Sequence, residues 1–139
     1  RSESESTRPF DWRLKSIQVG TLKLIASDRG DLELYDLWLD SLLVYLEENR
    51  DLLVSTVREK LPGVEIGVPE GTYLAWLDCR EAGIEGNPCE FFLEVARVGL
   101  NDGAIFGKGG QGFVRLNFGC PRSILTEALE RMQQALKTR

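Results

Sequence analysis

A chain of 139 residues has room for one compact domain with its own core and is short for an enzyme that must enclose an organic cofactor. Hydrophobic residues make up 42% and charged residues 28%, no apolar run approaches the roughly 20 residues of a membrane span, and a net charge of −5 with scattered Lys and Arg gives a phosphate backbone no basic face to grip. Membrane insertion and nucleic-acid binding are therefore not expected. Histidine is absent, which removes Ser-His-Asp and Cys-His nucleophiles and most catalytic zinc sites.

Residues 1–9, RSESESTRP, lack a hydrophobic period and read as a disordered lead-in. From Phe10 to Ala26 apolar and polar residues partly alternate, which favours a short strand or hairpin. Asp31 to Leu61 carries the strongest pattern. Leu39, Leu42, Leu43, Leu46, Leu53, Val57 and Leu61 follow helical spacing, Asp36 is placed to cap the start, and Pro62-Gly63 ends the helix. Val64–Val68 and Thr72–Cys79 read as strands around the turn Pro69-Glu70-Gly71. The second has apolar residues on both faces, Tyr73, Ala75 and Leu77 against Leu74 and Trp76, and is expected to be buried on both sides.

Asn87-Pro88 opens a helix through Val98 with Phe91, Phe92, Val95 and Ala96 as its core stripe. A glycine-rich connection, 99–112, leads to a strand at Phe113–Phe118. The last helix, Ser123–Lys137, has Ile124, Leu125, Ala128, Leu129, Met132 and Leu136 at helical spacing and an approximate capping box from Ser123 to Thr126 and Glu127. The order of helix, strand, strand, helix, strand, helix predicts a two-layer α/β sandwich, a small mixed sheet covered by helices on one face. Its core is expected to include Leu42, Leu46, Leu53, Trp76, Phe92, Val114 and Leu129.

Four features bear on chemistry. GKGGQG at 107–112 matches G-x-G-x-x-G, but it runs into a strand where a dinucleotide site needs a helix, so it reads as a loop. Glu70 and Asp78 are one carboxylate pair among 22 acidic residues, a spacing that chance supplies. Cys79, Cys89 and Cys120 lack C-x-x-C spacing and any histidine to activate them, as suits reduced structural thiols of a cytoplasmic protein. Arg115 interrupts the apolar strand FVRLNF, where a guanidinium needs an anion. Either a carboxylate of this chain or open water satisfies it, or the arginine is a fork for a ligand carboxylate.

Three segments, PEGTYLAWLD (69–78), VGLNDGAIFG (98–107) and GFVRLNFGCPR (112–122), resemble in order and separation the C-terminal end of pyridoxal-phosphate (PLP) enzymes of fold type I. The resemblance is to the aminotransferase class I/II branch that includes cystathionine β-lyase-like C–S lyases, and it runs from about Leu37 to Leu136. It implies that 37–139 is an aminotransferase-like C-terminal small domain, with 1–36 unassigned. It implies that Arg115 binds the α-carboxylate of an amino-acid substrate, and that Tyr73 and Asn101 lie in segments near the active-site mouth. In that family a large domain supplies the PLP lysine, the aspartate that pairs with the pyridine nitrogen and the groups that hold the phosphate. None of those motifs is recognisable here, and Lys15, Lys23, Lys60, Lys108 and Lys137 lack that setting. No catalytic or metal-binding residue is assigned, PLP is not expected on this chain alone, and the implied partners are the large domain and a second copy in a homodimer. Transamination and β-elimination stay open, as does a non-catalytic, partner-binding fold derived from the domain.

Overall fold

The computed structural model describes residues 32–139. The expected lead-in at 1–9, the strand or hairpin at 10–26 and the first helical position, Asp31, lie outside the described residues. Helix α1 spans Leu32–Lys60. Strands β1 and β2 are Glu65–Ile66 and Leu74–Asp78, and helix α2 starts at Pro88–Phe91 and continues in π-helical form through Phe92–Ala96. Strand β3 is Asn101–Asp102, short 3₁₀ turns follow at Gly103–Phe106 and Lys108–Gly110, and strand β4, Phe113–Asn117, precedes helix α3, Arg122–Lys137. Among the described residues no helix is long and apolar enough to cross a membrane.

Helix α1 buries one stripe, Leu39, Leu43, Leu46, Leu53, Val54 and Val57, at the three- and four-residue steps that return a side chain to one face. Leu42, expected in the core, stands on the shoulder of that stripe and is half-buried. Asp36 lies a full turn inside the helix, so it does not cap the start. The C-terminus ends at Pro62-Gly63 as the sequence predicts. Gly63 adopts φ +77, and a Cβ there would sit 2.2 Å from the Glu81 carbonyl, so only glycine lets the two segments meet.

The sheet has the order β1-β2-β4-β3 and every pairing is antiparallel. The expected mixed sheet is corrected for a topological reason. Strands β2 and β3 run in the same direction, as a strand–helix–strand crossover requires, but β4 inserts between them and opposes both. In register, Ala75 faces Leu116, Trp76 faces Arg115 and Leu77 faces Val114. Ala75, Leu77, Val114 and Leu116 are buried toward the helices, where they join Leu53, Val57, Phe92, Leu125, Leu129 and Met132 in one core. This is the two-layer α/β arrangement expected, with helices on one face.

The other face is open. Trp76 is 42% exposed, so β2 is not buried on both sides and Trp76 is not a core residue. Alternation assigns side chains to faces but does not say which face is covered, and here the opposite face carries only Trp76, Arg115 and their neighbours.

Helix α2 corrects the sequence in a second place. Asn87 caps it, its side-chain oxygen accepting from the Cys89 amide at 2.8 Å, and Pro88 sits where no amide donor is needed. The widened turn then stretches the repeat beyond 3.6 residues, keeps Phe92 and Ala96 buried, and turns Val95 outward to 52% exposure. The left-handed Arg97, φ 58, ends it. Helix α3 begins directly after Pro121, whose carbonyl accepts from the Ile124 and Leu125 amides. No side chain caps it, so the Ser123 capping box is absent, because Ser123 already lies inside the first turn. Ile124, read as core, is 54% exposed; Leu125, Leu129, Met132 and Leu136 carry the packing.

One buried polar residue ties α1 to the β4–α3 corner. Asn49 is fully buried and its amide donates to the Phe118 carbonyl at 3.1 Å and to the Cys120 carbonyl at 2.9 Å. Its oxygen accepts from Arg122 Nε at 3.2 Å, and Arg122 also reaches Glu48 at 2.6 Å. The corner backbone is thereby satisfied where β4 has ended and α3 has not begun.

Candidate functional site

On the open face, Arg115 occupies the centre of β4 between Trp76 of β2 and Asn101 of β3, which are its partners in register. The aliphatic stem rises from the sheet and the guanidinium lies over the Phe106 ring, Cζ 4.4 Å from the centroid. Phe106 in turn meets Trp76 edge to face at 5.3 Å, and Trp76 meets Phe113 at 6.4 Å. Arg115 therefore rests on an aromatic platform that favours a cation electrostatically and excludes water from one side of it.

Its hydrogen bonding is incomplete. Nη2 donates to Asn101 Oδ1 at 3.1 Å, whereas Nε is buried without an acceptor among the described residues. No described carboxylate pairs with Arg115, although Arg50, Arg80, Arg122 and Arg131 all have acidic partners. Asp102 is adjacent in sequence to Asn101 but its oxygens are committed elsewhere, one accepting from the Ala104 amide at 2.9 Å and the other from Asn87 Nδ2 at 2.7 Å. The Ala104 amide and then the Asn87 side chain hold the Asp102 carboxyl below the usual carboxylate range. The result is a half-buried positive charge with a neutral partner, the arrangement that receives an external anion.

The structure thus brings Asn101 to Arg115, and it separates Tyr73 from them. Tyr73 immediately precedes β2, its carbonyl accepting from the Phe118 amide at 2.9 Å and its ring lying against Gly119. It falls on the opposite alternation from Trp76, and no hydrogen bond joins its side chain to Arg115. Phe106 and Trp76, which build the platform, carry no signal in the sequence that marks them as site residues; the FG pair at 106–107 marks only a turn.

The remaining candidates resolve into structure. The glycines of 107–112 precede β4 and present no helix N-terminus to a phosphate. Gly110 is there because its backbone packs on Gly103, where a Cβ would lie 1.9 Å from the Gly103 carbonyl oxygen. Asp78 gives both oxygens to Arg80, at 2.9 and 2.6 Å, and the Arg80 hydrogen bond pulls its carboxyl down. Burial, reinforced by Asp78, pushes the Cys79 thiol up to about 12, and burial also raises Cys89 and Cys120, so none is a thiolate near neutrality. The described residues contain no cluster of three metal-ligating side chains.

No family model matches the chain. A cystathionine β-lyase of Corynebacterium glutamicum is 42% identical over 99 residues, covering 71% of this chain and 26% of its own length. Cystathionine β-lyase PatB of Bacillus subtilis (strain 168) is 36% identical over 100 residues, again 71% of this chain and 26% of its own. Cystalysin from Treponema denticola, whose crystal structure contains PLP, superposes with a TM-score of 0.67 at 33% identity over 75% of this chain and 27% of that one.

The homologues of this chain are cystathionine β-lyases, and its structural neighbours are PLP-dependent C–S lyases and aminotransferases. The chain spans about 26% of the length of these two curated relatives. The family uses PLP, and the described residues do not fit its covalent attachment. A lysine that forms an imine needs burial or neighbouring charge to lower its pKa, whereas Lys60, Lys108 and Lys137 are all exposed to water.

Proposed function

We propose that residues 37–139 form the C-terminal small domain of a PLP-dependent C–S β-lyase or aminotransferase acting on an amino acid, and that Arg115 receives the substrate α-carboxylate. A large domain carrying PLP and a second copy in a homodimer are the partners this reading requires, and the three free thiols suit a reducing cytoplasm. The observation that carries it is the half-buried guanidinium on Phe106 with a neutral amide and no described carboxylate beside it.

The side chains act by binding and orientation. A carboxylate meeting the fork of Arg115 is fixed in plane by two parallel N–H donors, which a point-charge lysine does not provide. With the substrate amine held elsewhere, fixing the carboxylate sets the rotation about Cα, while Phe106 and Trp76 keep water from one side of the pair and so strengthen it. When bound in the whole enzyme, PLP supplies the electron sink for negative charge at Cα.

Titration of the 139-residue chain with acetate, read on the Arg115 guanidinium resonance, tests the proposal. Arg115 is expected to respond in the millimolar range and ahead of Arg50 and Arg131, which already have carboxylates. Equal, weak responses from all arginines would overturn the assignment.

A further inference from the structure

The two supports of Arg115 share one origin. Asn101 presents its oxygen at 3.1 Å from β3, and the Phe106 ring lies beneath the guanidinium at the end of the turn Gly103–Phe106. Asp102 stands between them in sequence and caps that turn, its oxygen accepting from the Ala104 amide. Asp102 is itself gripped from α2 by Asn87, 15 residues away, whose other amide atom caps α2. A single side chain therefore joins the start of α2 to the strand and the turn that hold Arg115.

We infer that Asn87, Asp102, Asn101 and Phe106 are positioning residues that hold the Arg115 guanidinium in one orientation for an incoming carboxylate. The inference rests on the carboxylate role proposed above and extends it to residues that touch no substrate. A free arginine side chain samples many rotamers, and a ligand that must immobilise it loses that entropy from its affinity. Here the ring and the Asn101 oxygen immobilise it beforehand. The chemistry of each position matters. Asn101 orients the cation without neutralising it, whereas an aspartate there would supply the very anion the site is built to receive. Asp102 has that anion, but β-strand alternation sends it to the other side of β3, and Asn87 and Ala104 keep it there.

The test uses the full ¹⁵N-labelled chain and follows the Arg115 Nε–H resonance, identified by its disappearance in Arg115→Lys. In the native chain it is expected to be shifted by the Phe106 ring current and to exchange slowly with water. Asn101→Ala and Asn87→Ala should each move it toward the position of solvent-exposed arginines and raise the acetate concentration for half-saturation about five-fold, the scale of one net hydrogen bond. Asn101→Asp should keep the resonance shifted and abolish the acetate response. Phe106→Leu, at a position 47% exposed and so safe for the fold, should remove the shift and weaken acetate similarly; it decides the matter if either alanine variant unfolds. An unmoved resonance and unchanged acetate response in Asn87→Ala, Asn101→Ala and Phe106→Leu would overturn the inference. A native Arg115 that is held, and released in Asn101→Ala, yet never responds to acetate would instead sink the carboxylate reading and leave the positioning residues standing.

Discussion

Replacing Arg115 with alanine separates a ligand-binding arginine from a structural one. The change abolishes the stacking over Phe106, worth about 0.5–1 kcal/mol at a partly exposed site, and the bond to Asn101, worth about 1.5 kcal/mol as a charged hydrogen bond. Against this, it removes a buried Nε–H without an acceptor, which costs about 1–3 kcal/mol in the native state. The two nearly cancel, and the expected change in stability is within about 1 kcal/mol, or a Tm shift within about 4–8 °C for a domain of this size. Thermal denaturation followed by circular dichroism measures it. A loss of about 3–5 kcal/mol, the cost of breaking a buried ion pair, would show that a carboxylate of this chain neutralises Arg115 and would refute the site as described.

The other expectations concern the frame. Asn49→Ala leaves the Phe118 and Cys120 carbonyls without their donor and should cost about 2–4 kcal/mol in urea denaturation, far more than an exposed asparagine. Phe92→Ala should cost about 3–5 kcal/mol and Trp76→Ala much less, since Phe92 is fully buried and Trp76 is 42% exposed; equal losses would mean that the outer face is covered. Cys79 holds its proton to about pH 12 when folded against 9.0 for an ordinary thiol, so above pH 9 the unfolded chain loses a proton that the folded chain keeps. Stability should be unaffected by this group below pH 9 and fall as pH rises from 9 to 12. Cys79→Ala should remove that part of the alkaline slope.

What the sequence made legible was whatever depends on neighbours along the chain. The stripe of α1, its end at Pro62-Gly63, the cap at Asn87 and the strand at Phe113 follow from spacing and local sterics, and Arg115 stood out because a charge in an apolar strand must be explained. What it hid depends on distant partners. Nothing local shows that the face bearing Trp76 is bare, that the turn after Phe91 widens and expels Val95, or that α3 starts without a side-chain cap. Asn49 looks like any polar residue of an amphipathic helix, and its role arises only because the backbone 69 to 71 residues later lacks donors. Likewise Asn101 came into view through a family resemblance, while the support behind it, from Asn87 through Asp102, closes only in three dimensions.

The sheet's outline has a consequence for how copies of the chain meet. Its two edges, β1 and β3, are stubs of two residues each, and each covers only part of the five-residue strand beside it. Among the described residues an incoming strand would meet a stepped edge, two residues of a stub and then the neighbouring strand set back behind it, instead of one long straight edge, and such interruption disfavours edge-to-edge addition, the route to fibrils.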